Sequence, residues 1–153
     1  MKKILFVCHG NICRSPMAEF VMRDLLRREG LEMHIQVASA GTSSEELGNP
    51  IYPPAQRILR AHGIDPSGKT ARQLRLVDYK EYDYLVAMEA VNLRNMKRVF
   101  SGDKENKCFR LLDLTIRPGD ITDPWYSGDF QATWDDVVEG CEALLERLRF
   151  ELS

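Results

Sequence analysis

The chain predicts an α/β fold: a three-layer sandwich on a central four-stranded parallel sheet. Two observations carry this. Short apolar runs of strand length alternate with stretches whose apolar residues recur at i, i+3 and i+4. The first run, Ile4, Leu5, Phe6 and Val7, is continuous, as in a strand buried on both faces. At 153 residues the chain has the size of one domain, expected to span 1–153, and it contains no internal repeat, low-complexity tract or linker.

The elements follow in order. Residues 4–7 form the first strand. From Pro16 onward Ala18, Val21, Met22, Leu25 and Leu26 keep helical spacing, and Gly30 follows that helix. Residues 34–38 read as the second strand. A helix over 54–62 points Ala55, Ile58 and Leu59 inward and is stopped by Gly63. Residues 84–87 make the third strand, a helix runs over about 89–100, and residues 107–112 make the fourth strand. A loop rich in Pro, Gly and Asp covers about 117–129. The last helix, 130–150, carries Trp134, Val137, Val138, Cys141, Leu144, Leu145 and Leu148 on one face. In such sheets ligands bind beyond the carboxyl ends of strands, and the segment after Val7 falls there.

That segment is Cys8-His9-Gly10-Asn11-Ile12-Cys13-Arg14-Ser15. A cysteine closing an apolar strand is, taken alone, a small buried hydrophobe. Its company changes the reading. Gly10 and Asn11 tolerate left-handed backbone, as a tight cradle demands, and Pro16 suits the first helical position. Successive N–H groups of such a loop form an anion nest, backed by the positive end of the helix dipole. Arg14 adds a planar fork for two phosphate oxygens. Cys8, at the mouth of this field, is expected to ionise more readily than free cysteine and to act as a nucleophile. The loop reads as a site for attack on phosphorus, with phosphate or another oxyanion as its ligand.

Cys-(x)5-Arg-Ser close to the N-terminus, within the string from Val7 to Glu19, resembles the low-molecular-weight protein tyrosine phosphatases. The likeness covers essentially the whole chain. Ser39-Ala40-Gly41-Thr42, His62-Gly63-Ile64, Ala71-Arg72-Gln73-Leu74, Asn92-Leu93 and Asp123-Pro124 fall where that family carries similar segments. A bare Cys-(x)5-Arg is shared by unrelated phosphatase folds, whereas the extended string with a late Asp-Pro is far more specific.

The resemblance implies hydrolysis of phosphotyrosine through a phosphocysteine intermediate, with Cys8 as nucleophile and Arg14 binding the phosphate. A thiolate displaces an alkoxide only if the departing oxygen is protonated, so a carboxylic acid must face the loop. Asp-Pro by itself is a common turn element, and Asp113, Asp120 and Asp129 lie nearby in sequence. The resemblance selects Asp123 as general acid and base, with Trp125 and Tyr126 as flat walls for a phenol ring. It also implies that His9, Gly10, Asn11, Ile12, Cys13 and Ser15 line the substrate. Asn11, Ser15 and Ser39 would brace the loop by hydrogen bonds, Ser15 steadying the thiolate as well. No metal or other cofactor is expected, because loop dipoles and Arg14 supply the charge stabilisation that Mg²⁺ gives in kinases. Cys13, five positions after Cys8, is a redox partner within bridging reach, able to trap oxidised Cys8 as a reversible disulfide.

Several features narrow or contest this reading. A formal net charge of −2 with mixed signs gives no case for nucleic-acid or membrane binding. No apolar stretch approaches the ~20 residues of a membrane span. The expected setting is cytoplasmic, where four cysteines do not make a disulfide framework, and Cys108 and Cys141 are expected in the core. The expected partners are phosphotyrosyl proteins, a tyrosine kinase among them. Residues 63–70 match a Walker A pattern, but a helix precedes them and Pro66 deletes an N–H, so nucleotide binding is not expected there. His9, His34 and His62 lack metal-ligand spacing. His9 stands where the family more often has an apolar residue, Trp125 where a tyrosine is common, and Glu45 and Glu46 put acids at the pocket mouth. Related activities remain as rivals. Arginine phosphatases resemble this loop but carry threonine at Ile12. Arsenate reductases need two further cysteines, and residues 82–88 hold none. A silent phosphotyrosine-binding module would not need Cys8, Arg14 and Asp123 together.

Overall fold

The structure, a computed structural model, describes residues 1–152. Four strands, β1 (Lys2–Cys8), β2 (Ile35–Gly41), β3 (Tyr84–Ala87) and β4 (Cys108–Arg110), form one parallel sheet in the order β2-β1-β3-β4. Strand β1 is hydrogen-bonded on both edges and covered on both faces, which is why Ile4 through Val7 are apolar without alternation. Its residues still divide by parity. Ile4, Phe6 and Cys8 join a core with α1 (Arg14–Arg28), α2 (Pro53–Ala61) and α6 (Phe130–Leu152). Leu5 and Val7 join a second core with Met96 and Phe100 of α4 (Ala90–Phe100). These are the three expected layers.

The chain leaves β1 toward β2 on one side and later returns to β3 on the other, so the strand order reverses at the carboxyl end of β1. The Cys8 loop occupies that crevice.

Element boundaries differ from expectation in informative ways. Helix α1 starts at Arg14, and Pro16 is its third residue; a first-turn N–H has no intrahelical partner, so the proline still costs nothing. Strand β2 starts at Ile35 and runs on to Gly41, pairing Ser39, Ala40 and Gly41 with Phe6, Val7 and Cys8. The fourth strand is shorter than 107–112. A strand would send Leu111 and Leu112 to opposite faces, whereas the 3₁₀ turn Leu111–Leu114 buries both in the core beneath α6. Two short helices were not anticipated, α3 (Asp78–Glu81) and α5 (Pro124–Ser127), the latter inside the predicted loop. Cys141 is fully buried, but Cys108 is only half-buried.

Helix α6 crosses this turn at Gly140, where a Cβ would lie 2.4 Å from Leu111 Cγ. Leu111 is fully buried and has little room to move. Gly140→Ala should therefore lower stability by about 1–2 kcal/mol, the overpacking penalty outweighing the ~1 kcal/mol helix preference of alanine. Urea denaturation of the two proteins measures the difference.

Candidate active site

The loop after β1 is shaped from beneath by β2. A Cβ on Gly41 would sit 2.7 Å from the His9 carbonyl oxygen and 3.1 Å from the Asn11 nitrogen, so only hydrogen fits there. Asn11 takes the left-handed conformation (φ 59°), as expected, but Gly10 does not share it. A Cβ on Gly10 would meet Glu46 Cγ at 3.4 Å, an ordinary contact.

Asn11 is the hub of the bracing network. Its Nδ2 donates to Ser15 Oγ (2.8 Å) and Ser39 Oγ (2.9 Å), and its Oδ1 accepts from the Arg72 amide (3.1 Å). Cys8 Sγ lies 2.9 Å from Ser15 Oγ and accepts from the Asn11 amide at 3.3 Å. The three residues expected to brace the loop are thus all hydrogen-bonded together.

The network extends further than the sequence suggested. Ser39 Oγ donates to Glu19 Oε1 (2.5 Å), and buried Glu19 is paired with Lys69 (3.2 Å) and Arg23 (2.5 Å). Lys69 Nζ also donates to the Ser39 carbonyl at 3.0 Å. Burial pulls the Lys69 pKa down, and Glu19 only partly restores it. Lys69 is the lysine of the Walker-like segment, which here follows α2 and spends its ammonium on the bracing network. Glu19 was legible in principle, standing one helical turn after Ser15 on α1.

Arg14 is 1 % exposed, and both terminal nitrogens of its guanidinium have partners. Nη1 donates to the Ile121 carbonyl (2.9 Å), and Nη2 reaches Glu89 Oε1 (3.2 Å) and Asp123 Oδ2 (3.3 Å). Burial works against its charge, but Cys8, Asp123 and Glu89 outweigh that and raise its pKa. Glu89 was not anticipated. It is the N-cap of α4, in a reciprocal capping box with Asn92, and the usual signature opens with Ser or Thr instead.

Asp123 is the N-cap of α5, with Oδ1 accepting the Trp125 amide at 3.0 Å. Its second oxygen faces Arg14. Asp120 is engaged elsewhere, with Arg110 and the Ala90 amide, Asp113 pairs with Arg110, and Asp129 accepts from the Ala132 amide.

A cavity of about 130 Å³ is lined by Cys8, His9, Gly10, Ile12, Cys13, Arg14, Glu45, Glu46, Asp123, Trp125 and Tyr126. Larger open grooves exist, one of about 720 Å³ bordered by Phe20, Arg23 and Ile64, but it gathers none of these groups. Convergence of polar groups, not volume, marks the site. Of the anticipated residues, Asn11, Ser15 and Ser39 stand behind the cavity wall. His9 lies 3.5 Å from Glu45 across the mouth, and Glu46 accepts from Asn49. Burial, with the negative charges of Cys8 and Asp123, pushes the Cys13 thiol up to about 12. His62 stacks on Trp134 with ring centroids 4.0 Å apart.

Comparison with known proteins bears on this geometry. Residues 3–153 match the low molecular weight phosphotyrosine protein phosphatase family. The low molecular weight protein-tyrosine-phosphatase YfkJ of Bacillus subtilis is 40 % identical over 153 residues, covering 99 % of this chain and 98 % of the relative. PtpA of Staphylococcus aureus, a protein of the same description, is 36 % identical over 147 residues, 95 % of this chain and 93 % of its own. The crystal structure of YfkJ superposes with a TM-score of 0.97 at 39 % identity, covering 100 % of this chain and 98 % of that one. A protein tyrosine phosphatase from Entamoeba histolytica, crystallised with Hepes in the active site, gives 0.92 at 29 % identity with full coverage of both chains.

Proposed function

We propose a mechanism that proceeds from one premise: the chain belongs to the low molecular weight phosphotyrosine protein phosphatase family, and it is a protein-tyrosine phosphatase. The observation that carries the mechanism is the meeting of Cys8, Arg14 and Asp123 at one cavity, although Arg14 and Asp123 stand 109 positions apart in sequence.

A phosphotyrosine enters between Trp125 and Tyr126, and its phosphate settles in the Cys8 loop. The phosphate draws the Arg14 fork onto two of its oxygens and loosens the hold of Arg14 on Asp123. Cys8 attacks phosphorus in line, and the P–O bond to the tyrosine breaks. Loop N–H groups and Arg14 hold the equatorial oxygens as charge develops on them, and Asp123 hands its proton to the departing phenolate oxygen. The product is a phosphocysteine. Asp123, now a carboxylate, takes a proton from water as that water attacks phosphorus, and phosphate leaves with Cys8 restored as thiolate. Ser15 Oγ, 2.9 Å from the sulfur, steadies it at both stages.

The same reading assigns the chain a cytoplasmic setting, a single domain over 1–153, phosphotyrosyl proteins as substrates, and a tyrosine kinase as the enzyme that makes them and as a candidate substrate itself. No helix among the described residues is long and apolar enough to cross a membrane. Cys13 supports a redox role. Peroxide converts the Cys8 thiolate to a sulfenic acid and releases hydroxide. The Cys13 thiol then displaces water to form a disulfide, which an external dithiol reduces. Burial is the main cause of the raised Cys13 pKa and persists, while loss of the Cys8 charge removes the next contribution and eases ionisation of the partner.

Two experiments test these readings. Hydrolysis of phosphotyrosine, phosphoserine and phosphoarginine peptides, with chelator and reductant present, should be confined to phosphotyrosine and abolished in Cys8→Ser. Preference for phosphoarginine would transfer the assignment to that sister activity. For the redox role, Cys13→Ser should lose the dithiol-dependent recovery from peroxide that the wild type shows; equal recovery in both proteins would remove it.

A further inference from the structure

We propose that Tyr52 is a positioning residue for Asp123, tying the acid-bearing turn to the nucleophile loop through its aromatic ring. The proposal rests on the reading of Asp123 as general acid.

Helix α5 has four residues, too few to be stable without outside support. Asp123 caps it, and because Asp123 Oδ1 accepts the Trp125 amide, the carboxyl group is placed wherever Trp125 is placed. Trp125 is 52 % exposed, and what it packs on is Tyr52: the ring centroids are 4.8 Å apart at an interplanar angle of 54°. The other side of the same turn is held the same way. The Tyr52 ring stacks with Phe130, the first residue of α6, with centroids 6.0 Å apart at 25°.

The backbone of Tyr52 faces the opposite half of the site. Its N–H donates to the Ile12 carbonyl in the nucleophile loop at 2.8 Å, and its carbonyl accepts the Ala55 and Gln56 amides as α2 begins. One residue therefore touches the loop that carries Cys8 with its main chain and the turn that carries Asp123 with its side chain.

The reaction makes this link more important than the resting structure suggests. In the resting protein the ion pair with Arg14 also orients Asp123. When Asp123 carries the proton it will donate, it has no charge to attract Arg14, and Arg14 is turned to phosphate. What then holds the acid is the Trp125 amide and the packing beneath Trp125. A stack of uncharged rings does not change with protonation state, so it persists through both proton transfers.

The experiment is a series of aryl phosphates with phenols of rising basicity, read as kcat/KM, which reports the step that breaks the P–O bond. Wild type, Tyr52→Ala, Tyr52→Leu, Tyr52→Phe and Asp123→Asn are compared. Asp123→Asn should show a steep fall as the phenol becomes more basic, with a loss of about 100-fold or more on the most basic. Tyr52→Ala and Tyr52→Leu should show the same trend more weakly, losing about tenfold on the most basic phenol, as a displaced catalytic group does, and little on the most acidic. Tyr52→Phe, which keeps the ring, should restore the wild-type slope. Competitive inhibition by inorganic phosphate should be unchanged in Tyr52→Leu, because the nucleophile loop is intact. A uniform loss across the series in both Tyr52→Ala and Tyr52→Leu, or none, overturns the proposal while leaving Asp123 as the acid. A flat series in Asp123→Asn removes the acid assignment, and the role of Tyr52 falls with it.

Discussion

A guanidinium buried to 1 % exposure cannot persist in a protein interior without partners, and the arrangement around Arg14 follows from supplying them. Three acceptors come from beyond β3: Glu89 at the start of α4, the Ile121 carbonyl, and Asp123 at the start of α5. Removing one partner of a buried charge typically costs about 3–5 kcal/mol, so these segments are bound to the N-terminal loop by electrostatics as well as by packing. The consequence is chemical. A fixed positive charge stands at the floor of the Cys8 cavity, and the carboxyl group that shares it is held on the opposite wall.

The loop itself is held open by a second set of constraints, one steric and the rest polar. Its backbone lies so close over β2 that position 41 admits no side chain, and Asn11 turns through a left-handed conformation that positions its amide toward Cys8 Sγ. Behind Asn11, hydrogen bonds pass through Ser39 to Glu19, and from there to Lys69 and Arg23. Most of these groups are buried, and a buried network of this kind rigidifies when every member is satisfied. A preorganised cradle needs that rigidity, because donors that must reorient during the reaction lose much of their effect.

Much of this was legible in the sequence, for reasons that differ by residue. The continuous apolar run of β1, the stripe on α6 and the octapeptide between strand and helix are local signals, and each appears where its pattern placed it. The shortened β4 was not legible, because Leu111 and Leu112 satisfy a strand and a 3₁₀ turn equally well until the position of α6 decides between them. Glu89, Lys69 and Tyr52 were missed for a common reason: each meets the site from a distant part of the chain, and no local pattern announces that contact. Lys69 sits inside a pattern that suggests phosphate binding, and its ammonium instead meets Glu19. Tyr52 ends a connection between β2 and α2 with no chemical signature at all.

The most direct test is to trap the covalent intermediate. Wild-type protein mixed with an aryl phosphate of good leaving group, quenched in acid within the first turnover and mapped by mass spectrometry, should carry a phosphoryl group on Cys8 and on no other residue. Turnover with no phosphorylated enzyme at any quench time, or a phosphoryl group on another side chain, would contradict nucleophilic catalysis by Cys8.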